Sequence, residues 1–162
     1  MAILVRRVRS GDIDPLLDLF EAVAAERIYI GTEPGFDREQ KRRDFASRVD
    51  NDANPSFVAV DEGLVVGSAG IGTHPEFGPT IGMLLAKTHR RHGVGRAMMD
   101  TLDTWAREHG IPALHLMVFP HNEPAIAFYR ETGWAEIDRF EKDVTRQNGE
   151  VWDTILMRKT YA

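Results

Sequence analysis

Arg90-Arg91-His92-Gly93-Val94-Gly95-Arg96 is a stretch whose residue types can hold a phosphate. It follows an apolar run, Ile81 to Ala86, and opens a strongly helical run, Ala97 to His109. A glycine-rich turn between a strand and a helix points peptide N–H groups outward. The first turn of the helix leaves its N–H groups without partners, and the helix dipole favours an anion. Glycine at 93 and 95 lets the backbone come close with no Cβ in the way. Arg90, Arg91 and Arg96 add fixed positive charge, and the guanidinium fork suits phosphate oxygens. The same residues could also be no more than a helix start that carries glycines.

The common nucleotide-binding forms of such a turn do not fit. Gly93-Val94-Gly95 begins a G-x-G-x-x-G pattern, but Met98 occupies the third glycine position. The strand after the helix ends Val118-Phe119-Pro120 and lacks an acidic residue for a ribose. No G-K-[ST] occurs, which excludes a Walker loop.

The elements that must position the turn are readable from periodicity. Ile3 to Val8 reads as a strand. Ser10-Gly11-Asp12 can cap a helix through about Ala25, with Ile13, Leu16, Leu17 and Phe20 on one face. A polar loop, Gly31 to Gly35, precedes a charged helix from about Asp37 to Val49. Phe57–Val60 and Leu64–Ile71 read as a hairpin, and Gly72 to Pro79 as a loop. Ile81 to Ala86 has the continuous apolar pattern of a strand buried on both faces. The helix after the turn buries Val94, Ala97, Met98, Leu102, Trp105 and Ala106, with Asp103 off that face. Leu114 to Phe119 is the next strand, so a parallel crossover is implied. Asn122 caps a short helix with Pro124 in its first turn, and Gly133 closes it. Trp134–Thr145 and Glu150–Lys159 flank Asn148-Gly149, a type I′ hairpin signal. The order is β-α-α-β-β-β-α-β-α-β-β, an α/β mixed sheet with helices packed on it.

Composition bounds the partners. At 162 residues the chain reads as one domain able to bury a core. Net charge −5 argues against a general nucleic-acid binder. With no cysteine there is no disulfide, thiolate metal site or thiol nucleophile. The first residues are charged too soon for a signal peptide, and no run approaches the ~20 apolar residues of a membrane span. These features give the expectation of a cytoplasmic protein with no membrane and no metal.

Arg90-x-x-Gly93-x-Gly95 resembles the acyl-CoA pyrophosphate loop, [Q/R]-x-x-G-x-[G/A], of the GNAT superfamily of N-acetyltransferases. Ile81 to Ala86 looks like that family's splayed fourth strand. Asn122-Glu123-Pro124-Ala125-Ile126-Ala127-Phe128-Tyr129-Arg130-Glu131-Thr132-Gly133-Trp134 is similar to its N-x-x-A-x-x-x-Y-x-x-x-G-[FW] segment. The specific motifs span about 81–134, and residues 1–56 match only as the usual two-helix region. The resemblance implies a GNAT-type acyl-CoA N-acyltransferase fold. It further implies acetyl-CoA as co-substrate, a small-molecule or peptide amine as acceptor, and a homodimer.

The resemblance also implies roles. Backbone groups near Leu84 and Leu85, with Lys87, would bind the pantetheine arm, and the Leu85 N–H would be the oxyanion donor. Arg90, Arg91, His92, Gly93, Val94, Gly95 and Arg96 would hold the pyrophosphate. Asn122 would contact the arm from the other wall, besides capping its helix. Tyr129 would protonate the departing thiolate, although its place on the helical face of Ala125 and Ile126, taken alone, favours core packing. Glu33, in the loop between the first two helices, would attract the acceptor ammonium beside Ile28-Tyr29-Ile30 and Phe36. The strand 81–86 carries no carboxylate or histidine, so the general base stays open among Glu33, His74, Glu76, His115, His121 and a water chain. A non-catalytic acyl-CoA-binding module on the same fold is the alternative to an enzyme.

Overall fold

Alternation along the strands decides which face each helix covers. In the computed structural model, which describes residues 2–162, β1 (Ile3–Arg7) is followed by α1 (Ile13–Ala25) and α2 (Arg38–Ala46). Then come β2 (Ser56–Asp61), β3 (Leu64–His74), β4 (Gly78–Leu85), α3 (Val94–Glu108), β5 (Ala113–Val118), α4 (Glu123–Glu131), β6 (Ala135–Thr145) and β7 (Val151–Thr160). One seven-stranded mixed sheet runs in the order β1-β2-β3-β4-β5-β7-β6. Phe57 and Ala59 of β2 face α3 with Val94, Met98 and Leu102. Val58 and Val60 point the other way, toward Leu16 and Phe45 of α1 and α2. Helix α4 joins the α3 side through Ile126, against Leu116, Val118 and Met157. Fully burying side chains of this size stabilises by ~1.5–3 kcal/mol each.

All neighbouring strands are antiparallel except β4 and β5, and those two meet only where Thr80 lies opposite His115. Beyond that pair the strands part. This corrects the expectation of a strand buried on both faces: only Ile81 and Leu84 of β4 are buried, and Gly82 is exposed. The expected loop at Gly72–Pro79 is mostly strand, since β3 runs on to His74 and pairs with Gly78.

The hairpin between β6 and β7 also differs from its expected form. Gly149 N–H donates to Arg146 O, Arg146 N–H donates to Glu150 O, and only Gly149 (φ 90°) is left-handed. This is a three-residue loop with a glycine bulge rather than a type I′ turn. Asn148 stays at negative φ, and its Oδ1 accepts from Glu150 N–H instead. Asp103 departs from its expected place too. It is 8% exposed, accepting from Lys159 Nζ at 2.8 Å and from the Tyr161 hydroxyl at 2.6 Å.

Candidate active site

The parting of β4 from β5 leaves main-chain groups without a strand partner. Ala86 N–H donates to Val66 O, and Leu84 lies opposite Ser68. Even-numbered residues of β4 therefore turn their backbone groups to β3, and Ile81, Met83 and Leu85 turn theirs to the gap. Leu84 is thus misplaced as a backbone contact: its N–H and C=O face β3, while its side chain packs on Leu19 and Val23 of α1. Met83, which the motif did not single out, takes its place beside Leu85.

At the open end of the gap lies the glycine turn. Gly93 (φ 81°, ψ 0°) caps α3, and the first helical bond runs from Ala97 N–H to Gly93 O at 3.1 Å. The N–H groups of Val94, Gly95 and Arg96 precede that bond and have no intrahelical acceptor. A Cβ on Gly93 would meet nothing within 4 Å, so glycine is required there by its φ, not by crowding. A Cβ on Gly95 would lie 3.5 Å from the Phe128 ring and 3.6 Å from the Leu85 side chain, ordinary van der Waals contacts. Arg91, itself left-handed at φ 64°, His92 and Arg96 are exposed around the turn, as is Lys87.

Arg90 is differently placed from the other two arginines. Its guanidinium donates to both carboxylate oxygens of Glu26 (2.8 and 2.7 Å) and to Leu85 O (3.1 Å), and lies 4.8 Å from the Tyr29 ring centroid. The fork is filled, and it ties the C-terminal end of α1 to the last residue of β4. Arg90 holds the Glu26 carboxyl below its ordinary value.

Across the gap, Asn122 is 8% exposed and accepts from Ala125 N–H at 3.4 Å, and its Nδ2 has no hydrogen bond among the described residues. Tyr129 packs between Phe128 and Trp134. No described residue hydrogen-bonds to its hydroxyl, and burial pushes its pKa up to about 12. At neutral pH the side chain is therefore a neutral phenol with a proton to give, and a weaker acid than an ordinary tyrosine.

The α1–α2 connection forms a further wall. Glu33 is engaged rather than free: both carboxylate oxygens accept from Gln147 N–H (3.2 and 3.0 Å), and Arg146 Nε lies 3.5 Å away. Arg146 has a side chain 2% exposed and donates to Ile30 O and Gly31 O. Its guanidinium carbon is 4.2 Å from the centroid of Trp152. His121 Nε2 is 2.8 Å from Ile28 O. Nothing in the sequence motifs singles out Arg146 or Gln147. Their only local signal is an arginine at a strand end two residues before Asn148-Gly149.

Among the described residues no group of three or more His, Cys, Asp or Glu is placed to hold a metal ion. No described helix is long and apolar enough to cross a membrane. Residues 17–134 match the model of the acetyltransferase (GNAT) family. The chain belongs to that family. GNAT enzymes are N-acetyltransferases with acetyl-CoA as co-substrate, and the β4 groups that face the gap beside the glycine turn fit a ligand with an amide-bearing arm and a pyrophosphate. The fold is similar to that of ribosomal-protein-alanine N-acetyltransferase from Brucella melitensis, at 26% identity and TM-score 0.87, covering 98% of this chain and 99% of that one. It is also similar to a phosphinothricin acetyltransferase from Sinorhizobium meliloti solved in complex with AcCoA, at 18% identity and TM-score 0.86, covering 100% and 90%. A curated relative, N-alpha-acetyltransferase 60 of Drosophila melanogaster, is 31% identical over 78 residues. That match spans 46% of this chain and 28% of the relative, so the chain covers well under two thirds of that protein.

Proposed function

We propose that this protein transfers the acetyl group of acetyl-CoA to a primary amine by direct attack of the amine on the thioester. One observation carries the reading: the main-chain N–H groups of Met83 and Leu85 face the gap between β4 and β5, the glycine turn lies at its open end, and half-buried Tyr129 of α4, which follows β5, has a hydroxyl with no hydrogen bond among the described residues. A thioester is already activated, so the protein has to align, stabilise an oxyanion and move protons.

Met83 holds a pantetheine amide in the manner of an added strand, and Leu85 N–H donates to the developing oxyanion. The amides of His92, Gly93, Val94, Gly95 and Arg96 receive the pyrophosphate, with Arg91, Arg96 and Lys87 supplying charge from the rim. Arg90 contributes by fixing the Leu85 carbonyl. Asn122 Nδ2 donates to the arm from the opposite wall. Tyr129 gives its proton to the departing sulfur. Glu33 shapes the acceptor wall by holding Gln147, with its carboxylate facing the amine side.

The test has two steps. A thermal shift with acetyl-CoA reports binding to the native state. Free-thiol release is then followed with amino acids, polyamines and peptides bearing free N-termini. Stabilisation by acetyl-CoA and amine-dependent thiol release are expected. Stabilisation with no amine-dependent release across the panel would leave a binding module and overturn the transferase reading.

A further inference from the structure

We propose that His121 takes the proton from the acceptor's ammonium, an inference that rests on the amine-acetylation reading. The sequence left the base open among several groups, and the structure separates them. Glu33 is occupied by Gln147 and Arg146. His74 accepts from Glu76 N–H through Nδ1, so its lone pair is used, and both residues lie at the β3–β4 turn. His115 sits at the closed end of the gap, opposite Thr80 and beside Phe77. Of the remaining histidines, His89 has both ring nitrogens engaged, by Thr88 and Asp61. His121 stands three residues past the end of β5, at the open end, directly before Asn122.

The tautomer of His121 follows from its partner. A carbonyl oxygen can only accept, so Nε2, 2.8 Å from Ile28 O, carries the hydrogen. In the neutral ring Nδ1 then holds the lone pair, and no described residue hydrogen-bonds to it. The ring is held in place, stacked on Phe119 at 5.6 Å and meeting the Trp152 edge at 4.6 Å. The exposed side chain keeps a route to water open for the proton.

The charges around it are mixed. From the β6–β7 hairpin, Arg146 stacks on the same Phe119 and Trp152 rings, and Glu150 accepts from Trp152 Nε1. From the α1–α2 loop, Glu33 faces Arg146. From α4, the positive end of the helix and Glu123 in its first turn act in opposite senses.

The proton count closes. His121 Nδ1 removes one proton from R–NH3+ and passes it to water. The nitrogen lone pair forms the C–N bond as the C–S bond breaks, and Tyr129 gives its proton to the sulfur. The second nitrogen proton, lost as the amide forms, returns Tyr129 to its phenol form. The net products are the amide, the free thiol and one proton in solvent.

His121→Gln and His121→Ala separate this role from a structural one, since glutamine keeps an N–H for Ile28 O. With the best acceptor of the panel, His121→Gln lowers kcat/KM at pH 7 by about 100-fold. It also removes the fall in log kcat/KM toward acid that the wild type shows, and leaves acetyl-CoA affinity by calorimetry unchanged. Added imidazole raises the rate of His121→Ala. A wild-type rate and acid limb in His121→Gln overturn the proposal. Nitrogen-15 spectra of the imidazole test it without any acceptor: Nε2–H with bare Nδ1 is expected in the neutral ring, and the opposite tautomer overturns it. A wild type that acetylates no amine overturns the transferase reading itself, whatever the tautomer.

Discussion

Replacing Arg146 by methionine removes the tether of the α1–α2 loop while filling much of the space. The guanidinium lies 4.2 Å from the Trp152 centroid in a nearly dry setting, a stack worth ~2 kcal/mol. Its two bonds to Ile30 O and Gly31 O are long, at 3.3 Å each. Being made by a charged donor, they contribute together about 2 kcal/mol. Against this stands Arg146 Nη2, buried with no partner, which costs about 1–3 kcal/mol of lost hydration. Glu33 keeps Gln147 N–H in the variant, so its carboxylate is not stranded. The balance is a loss of about 2 kcal/mol, and for a domain of this size each kcal/mol moves Tm by ~2–4 °C. The expected fall is therefore about 4–8 °C by calorimetry, with an unchanged urea m-value and a retained thermal shift with acetyl-CoA. A Tm within about 1 °C of wild type, or above it, would refute the ledger, because the orphaned nitrogen would then outweigh the tether.

Tyr129→Phe lowers turnover at saturating substrates with acetyl-CoA affinity and Tm little changed, since the hydroxyl has no protein partner to lose; unchanged turnover where chemistry limits the rate removes its role. Gly93→Ala costs about 1–2 kcal/mol from its φ of 81°, read as a lowered urea midpoint, while Gly95→Ala meets only ordinary contacts and stays near wild-type stability. Glu26 and Asp12 are both held below their ordinary values of 4.5 and 3.8, chiefly by hydrogen bonds from Arg90 and Arg6. Their contribution is fully present above those ordinary values and is lost as pH falls through the depressed ones, so urea midpoints drop below about pH 4.5. Glu26→Gln should flatten that acid slope, and a slope equal to wild type would show that Arg90 does not act through Glu26.

Much of this architecture is legible along the chain because it is local. The 3.6-residue pattern of α3, the Asn122 cap and the glycine turn each involve neighbours in sequence. What escaped reading depends on distant partners. The parity of β4 is set by its pairing with β3, and a shift of one residue exchanges Leu84 for Met83 and Leu85 at the gap. Glu33 meets Gln147, and Arg90 meets Glu26, across separations that no window of sequence spans. Asp103 reads as a surface residue until Lys159 and Tyr161 arrive from the end of the chain. Arginines in a motif suggest phosphate ligands, yet one of the three is consumed by a carboxylate the motif does not contain.

The single pair of residues joining β4 to β5 gives the sheet a seam. Four strands lie on one side of it and three on the other, with one bridge between them. Helix α3 straddles the seam, packing with Phe57, Ala69 and Ile71 on one side and Leu114, Leu116 and Met157 on the other. Met98 of α3 also lies under Gly67, beside Leu85. The spacing of the two half-sheets is therefore a property of apolar volume under α3 rather than of a hydrogen-bond ladder. One methylene more or less at Met98 or Leu102 acts as a shim, resetting the width of the slot from beneath while every group that lines it keeps its identity.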